Sequence, residues 1–387
     1  MSPGEGPIAG LLRDKRILVC CGAGGVGKTT IAAALGLAGA QMGRKVLVLT
    51  IDPARRLAEA MGIPESVASP SVVPAERMAA AGAAGAGELH AWMLNPGAVF
   101  EGMVRRLSQS PGRAEQILNN RIYRHLSEMV AGMQEYTAAE ALYELASQET
   151  YDLLVLDTPP SRNALEFLEA PGRLARFLDE RILGLFLPEL ARKGRFWARA
   201  SALVGNVFSK IFGPVFYEEL QQFLGAFSGM FAAMRLHAAG VKAMLASESA
   251  SFLVVTSPEQ AALSEAVYMR DKILELHLPF GGYVLNRSWA CADEFVEPEA
   301  IALAVGAEAS LPLRSALRKM GELARAERER AERDRGLLAW LLEHAPRGST
   351  AIAAPHLGGA VEDLDGLMRL ARGLTGALPP NAAGPAS

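Results

Sequence analysis

Short, unbroken apolar runs recur along the chain and set its architecture. Arg16–Cys21 (RILVCC) enters a glycine-rich turn, while Lys45–Ile51 (KVLVLTI) and Tyr151–Asp157 (YDLLVLD) each lead to an aspartate. Runs of this length, closed by Gly, Pro or Asp, read as strands buried on both faces. Further strands are predicted at Glu88–Leu94, Ser251–Thr256, Gly282–Asn286 and Thr350–Ala353. Helical patterns lie between them: an Ala/Leu-rich one over Thr29–Met42, one after Pro96, and one dominating Arg113–Gln148. Another covers Glu299–His344, interrupted near Leu311-Pro312. Strand–helix–strand alternation predicts an α/β fold with a mostly parallel central sheet flanked by helices and right-handed crossovers. Ala79–Gly87 (AAAGAAGAG) reads as a surface loop, and ARAERERAERDR (324–335) as a solvated helix face.

The stretch between the strands at 151 and 251 is different. Ten of the fourteen phenylalanines fall between Phe167 and Phe231. Phe208, Phe212 and Phe216 recur every four residues, as do Phe223, Phe227 and Phe231. That period lines one helix face with rings, and it predicts an inserted α-helical subdomain over about 100–148 and 165–248. The rings are either its core or a groove for an apolar client, and Met129, Met133, Met230, Met234 and Met244 suit the groove because thioethers adapt to varied surfaces. Ala200–Tyr217 carries one charge, Lys210, in 18 residues. Gly205, Asn206, Ser209, Gly213 and Pro214 interrupt it, so it reads as a greasy soluble segment, not a membrane span.

Composition narrows the class. The chain has 387 residues, half of them apolar and 21% charged, with a net charge of −3. That is a globular chain long enough for a full core, and it lacks the basic excess expected of a nucleic-acid binder. Cys20, Cys21 and Cys291 are the only cysteines and form no CxxC. Neighbouring Cys20 and Cys21 point to opposite faces of a strand, so neither a disulfide framework nor a cysteine zinc site is expected. A reducing, cytoplasmic setting follows, with a peripheral place at a membrane left open. Residues 1–14 show no signal-peptide order and read as a flexible leader, 15–375 as the main domain, and 376–387 as a disordered tail.

The chemistry is concentrated after the first strand. Gly22-Ala23-Gly24-Gly25-Val26-Gly27-Lys28-Thr29 fits G-x-x-x-x-G-K-[ST] between a strand and a helix, the context that defines a phosphate-binding P-loop. Glycines let successive backbone N–H groups turn inward, and the following helix adds its positive N-terminus. In such a loop Lys28 bridges the β- and γ-phosphates of ATP, Thr29 ligates Mg²⁺, and Thr30 bonds the α-phosphate. Asp157 ends its strand where a Walker B carboxylate belongs, near Mg²⁺ directly or through water, or caps a following helix. Asp52, also at a strand's C-terminal edge, either orients the attacking water or caps the next helix.

These residues, taken in order, resemble a family. GAGGVGKTT, TIDPARRLAEAMG, LHAWMLNP, GMQE, DTPPS, TSPEQAALSEA and YVLNR occur in the sequence found in the arsenite-pump ATPases and the related ATPases that target tail-anchored membrane proteins. The resemblance covers about residues 15–375. It implies an ATP-hydrolysing dimer whose nucleotide state rearranges a helical region that engages a client. It makes Asp52 the catalytic switch I aspartate, Asp157 the start of switch II, Asn286 an adenine contact, and Pro355 part of a loop over the base.

Three departures stand out. The family's loop reads G-K-G-G-V-G-K-T, with a first lysine reaching the partner's phosphates, whereas this chain has Ala23. Slow turnover, substitution by Arg55, Arg56 or Arg162 as an arginine finger, or pairing with a paralogue that keeps the lysine would each answer that loss. The switch II segment DTAPTGHT becomes DTPPSRNA. The missing thiol clusters disfavour arsenite binding, since soft metalloids need thiolates. The expectation is a homodimeric or heterodimeric ATP switch with a hydrophobic client or membrane-protein partner. The alternatives are a subunit driving a membrane anion transporter and a slow nucleotide sensor. Partition ATPases share the loop but lack the Phe-rich insertion.

Overall fold

In a computed structural model, residues 6–50, 56–63, 69–83, 87–108, 110–120, 133–158, 186, 195–228, 230–292, 311–359, 361 and 363–376 are described. The strands are β1 (Ile17–Gly22), β2 (Lys45–Thr50), β3 (Ser71–Val72), β4 (Glu88–Met93), β5 (Leu153–Asp157), β6 (Ala250–Thr256), β7 (Phe280–Ser288) and β8 (Thr350–Pro355). They form one sheet in the order β3-β4-β2-β5-β1-β6-β7-β8. All pairs are parallel except β3 with β4. A parallel sheet must be covered on both faces, which is why β1, β5 and β6 are buried at every residue. The mostly parallel sheet of the sequence reading is therefore observed, each long strand within two residues of its expected bounds.

The helices are α1 (Pro7–Asp14), α2 (Lys28–Gln41), α3 (Arg56–Met61), α4 (Ala75–Ala80), α5 (Pro96–Leu107), α6 (Pro111–Leu118) and α7 (Met133–Ser147). After β5 come α8 (Arg195–Phe212), α9 (Pro214–Ser228), α10 (Phe231–Leu245), α11 (Gln260–Glu275), α12 (Leu311–Glu343) and α13 (Leu364–Thr375). The two faces of the sheet hold separate cores. One gathers Ile8, Leu12, Ile31, Leu35, Val48, Leu253 and Leu367; the other gathers Leu49, Leu142, Leu156, Val254, Met269, Leu285 and Leu341. Cys20 belongs to the first and Cys21 to the second, as the strand alternation requires. Helix α2 is apolar nearly all round because it is buried from Ile31 to Ala40 between the sheet and α13.

Two expectations are corrected. The leader expected over 1–14 contains α1, whose Ile8 and Leu12 are fully buried. Pro7 fits the first helical turn, and the Gly6 N–H donates to the Thr375 carbonyl at 3.2 Å, tying α1 to the end of α13. The charge run 324–335 is not wholly solvated either: Ala331 and Asp334 are fully buried within α12, as the residues facing the sheet on a long amphipathic helix must be.

The described part of the Phe-rich segment from Arg195 onward is helical, but its stripes do not run along single helices. Gly213, at φ +90°, separates α8 from α9, so Phe208 and Phe212 precede the break and Phe216 follows it. The rings still pack in sequence, tilted by 36° and 5.4 Å apart between centroids for each neighbouring pair. Phe223 and Phe231 likewise lie on different helices, α9 and α10. Phe223, Met230 and Met234 join Phe100, Met103, Val104 and Ile117 in a third core. Leu203, Ile211, Phe212 and Val215 instead expose more than half their surface. Met129 lies outside the described residues. No described helix is long and apolar enough to cross a membrane.

Candidate functional site

The C-terminal ends of the parallel strands carry the polar residues, the edge where open α/β sheets receive ligands. At the end of β1 the backbone turns through Gly22 and reaches α2 at Lys28. Gly22 has φ +154°, and a Cβ there would meet the Val255 carbonyl oxygen of β6 at 2.1 Å, so only glycine brings the turn this close to the neighbouring strand. Gly27, at φ +90°, forms the left-handed cap before α2, where a Cβ would strike Asn286 Nδ2 at 2.3 Å. No side chain caps that helix. Among the described residues, no backbone carbonyl accepts from the N–H groups of Gly24 to Gly27. A row of amides without a backbone acceptor, at a helix N-terminus, has the shape and charge to hold phosphate oxygens.

Lys28 is buried, and its ammonium donates back to the Ala23 carbonyl at 2.9 Å, spanning the loop. Ala23 packs its methyl against the first core. Thr29 faces β5: its hydroxyl donates to Asp157 Oδ2 at 2.6 Å. The Thr50 hydroxyl donates to the same oxygen at 2.9 Å. Strand register explains the convergence, since Asp157 is the pairing partner of both Cys20 and Thr50. Asp157 is fully buried and so depends on such donors. Thr158, next in the chain, donates its hydroxyl to the Cys20 carbonyl at 2.9 Å. Burial, then the nearby Asp157 charge, pushes the Cys20 thiol well above its ordinary value. Burial, against the opposing pull of the Lys28 charge, takes Cys21 up to about 12. Both remain neutral thiols and supply no ligand or nucleophile.

Gly22, Ala23, Gly24, Gly25, Val26, Gly27, Lys28, Thr29 and Thr30 thus form one loop and helix start, with Asp157 beside it. Asn286, on β7, reaches the loop from below: its Nδ2 donates to the Val26 carbonyl at 2.8 Å. Pro355 ends β8 in register with Ser288, two strands from β6. Asp52, Arg55 and Arg162 lie outside the described residues, and of Arg56 only its place at the start of α3 is described.

Sequence reasoning passed over two features. Thr50 is one; its place at the end of an apolar strand, two residues before Asp52, was the available signal. The other is a cleft of about 500 Å³ over the ends of β6, β7 and β8, lined among others by Ser257, Arg287, Trp289, Asp334 and His356. Trp289 and His356 stack there, centroids 4.9 Å apart and planes within 16°. Nothing in the sequence linked Asp334 to β7, because α12 follows it by more than twenty residues.

A parallel sheet with a glycine loop of this geometry between its central strand and a buried helix defines a P-loop nucleoside triphosphatase fold. The family model described as "Anion-transporting ATPase" matches residues 15–294, nearly three-quarters of the chain, and the chain belongs to that family. An uncharacterised protein of Streptomyces coelicolor is 33% identical over 164 residues, 42% of this chain and 39% of that protein. The ATPase ASNA1 homolog of Entamoeba dispar is 29% identical over 186 residues, covering 45% and 52%. ATPase GET3 of Malassezia globosa is 26% identical over 163 residues, covering 42% and 44%. The chain therefore matches only about half or less of the length of these relatives.

Proposed function

We propose that this chain binds Mg-ATP in the Gly22–Thr30 loop and hydrolyses it as a dimeric switch. The observation that carries the reading is the convergence at Asp157. Thr29 from the loop and Thr50 from β2 both donate to one buried carboxylate oxygen beside an open row of backbone amides. That set fits an ATP tail and its cation: hard oxygen donors suit Mg²⁺, and the amides and Lys28 suit phosphate. Thr29 and Asp157 would hold Mg²⁺, which neutralises charge on the phosphates. Lys28 would leave the Ala23 carbonyl for the β- and γ-phosphates, and Asp52 would orient the attacking water. Asn286 and Pro355 would meet the base, directed toward the cleft over β6–β8. The exposed face of Leu203, Ile211, Phe212 and Val215 on α8 and α9 supports a hydrophobic client or membrane-protein partner for the helical subdomain.

Ala23 is the weak point of this machinery. It supplies neither charge nor donor at a position where a lysine would stabilise developing phosphate charge, an effect worth several kcal/mol of barrier to order of magnitude. Steady-state hydrolysis of Mg-ATP by the pure chain, with molar mass measured on the same samples, tests the reading. We expect slow, Mg-dependent turnover and at least about a tenfold gain in the Ala23→Lys variant. No hydrolysis by either protein, alone or mixed, would overturn the enzymatic reading.

A further inference from the structure

The strand ends opposite the phosphate loop hold a second opening. A cavity of about 190 Å³ lies where β1 and β5 begin, beside the last turns of α7 and α10. Ile17 is five residues before Gly22 on β1, so about 16 Å of strand separates this cavity from the loop. Ile17 and Leu154, both almost fully buried, form its floor. Tyr143, Ala146 and Met244, all partly exposed, form its sides with Tyr151. The aromatic walls are held in place. Tyr143 presses on α10 at Gly240, where a Cβ would meet the ring at 2.6 Å. The Tyr151 hydroxyl lies 3.1 Å from His90 Nδ1, and the two rings meet edge-on with centroids 5.2 Å apart.

Size and lining restrict what can enter. A cavity of about 150 Å³ admits benzene, whereas drug-sized ligands need upwards of about 300 Å³. The space therefore holds one six-membered ring with a small substituent, and tyrosine rings and a thioether are favourable neighbours for such a ring.

Arg16 decides the substituent. Its guanidinium lines the cavity, and the side chain is 43% exposed. Nη2 donates to the Ala146 carbonyl at 3.4 Å, in the last turn of α7, while Nη1 stands 3.7 Å from Glu149 Oε1. Glu149 is 78% exposed, and its φ of +52° lies in the backbone region that favours glycine. An ion pair this exposed contributes little, and 3.7 Å is too long for a direct hydrogen bond. A ligand carboxylate can make the bidentate pair with arginine that Glu149 does not. We propose that this cavity is a second ligand site, specific for a single-ring aromatic carboxylate. The ring lies against Tyr143, Tyr151 and Met244, and the carboxylate takes the place of Glu149 on Arg16. The site is independent of the Mg-ATP reading.

Three probes separate the two halves of this recognition: benzoate, benzamide (the same ring without the charge) and acetate (the charge without the ring). Their binding to the full chain is measured by ligand-observed NMR titration. Benzoate is expected to bind with a Kd of about 1 mM or tighter, and at least about tenfold tighter than either of the others. Arg16→Gln is expected to erase the preference for benzoate over benzamide. Ala146→Leu, which fills the cavity from its wall, is expected to weaken benzoate at least about tenfold. Glu149→Gln removes the competing carboxylate and is expected to tighten benzoate about two- to fivefold. Thermal midpoints report whether each variant folds, and if Arg16→Gln does not, Ala146→Leu and Glu149→Gln carry the test. No binding of benzoate by the parent, equal affinities for benzoate and benzamide, or benzoate affinity unchanged in any folded variant would overturn the proposal.

Discussion

At the scale of single residues, the site is organised around one buried carboxylate. Asp157 is at its place because β5 runs in register with β1 on one side and β2 on the other. The same register delivers Thr50, whose hydroxyl is fully buried and shares Oδ2 with Thr29. Thr50 positions the carboxylate and touches neither nucleotide nor water in this account. Replacing it with the near-isosteric valine removes one donor while keeping the strand packed. We expect Thr50→Val to lower turnover about tenfold, the loss of a hydrogen bond to a charged group being worth about 1.5–3 kcal/mol. The Mg²⁺ concentration for half-maximal activity should rise, while binding of metal-free ATP stays close to the parent's. A variant with an unchanged Mg²⁺ titration would remove Thr50 from the site.

Among the elements, α1 is the clearest departure from expectation. Its eight residues, PIAGLLRD, carry apolar side chains on one side only, and a segment so short has no stability of its own. Its order comes from contacts far away in sequence: Ile8 and Leu12 enter the core shared with α2 and α13, and the Arg44 guanidinium donates to the Leu12 and Lys15 carbonyls. Leu12→Ala is therefore expected to cost about 2–5 kcal/mol of stability, read as a shift in the denaturant midpoint at constant slope. A dispensable leader would show no shift. The contrast with β1 and β5 explains what can be read from a sequence. Short unbroken runs such as ILVCC, closed by glycine, announce buried parallel strands by their length and flanks, where the longer apolar run of α2 announces a helix, and the loop from Gly22 to Thr29 announces itself by its glycines. The break at Gly213, the burial of Asp334 and the docking of α13 depend on which surfaces meet, and no local spacing encodes that. Asn286 was legible only through resemblance; that its amide braces the Val26 carbonyl is a fact of tertiary structure.

For the whole molecule, every feature of the proposed nucleotide site lies along one edge of one sheet. From β2 across β5 and β1 to β8, the C-terminal strand ends present Thr50, Asp157, the phosphate-type loop, Asn286 and the Trp289–His356 cleft in spatial order. That order matches a nucleoside triphosphate laid across the sheet, cation and phosphates at the centre and base toward β7 and β8. The helices that leave the sheet carry two kinds of apolar surface, a closed core around Met230 and Met234 and an open one around Ile211 and Phe212. Any effect of nucleotide on these surfaces requires first that the loop bind nucleotide. Titration calorimetry of the pure chain with Mg-ATP, beside the Lys28→Met variant, addresses that directly. The account predicts a saturable heat for the parent and affinity reduced by at least about tenfold when the ammonium is removed, as expected for a lost charge-assisted contact. No heat from the folded parent, or equal affinities for the two proteins, would contradict it.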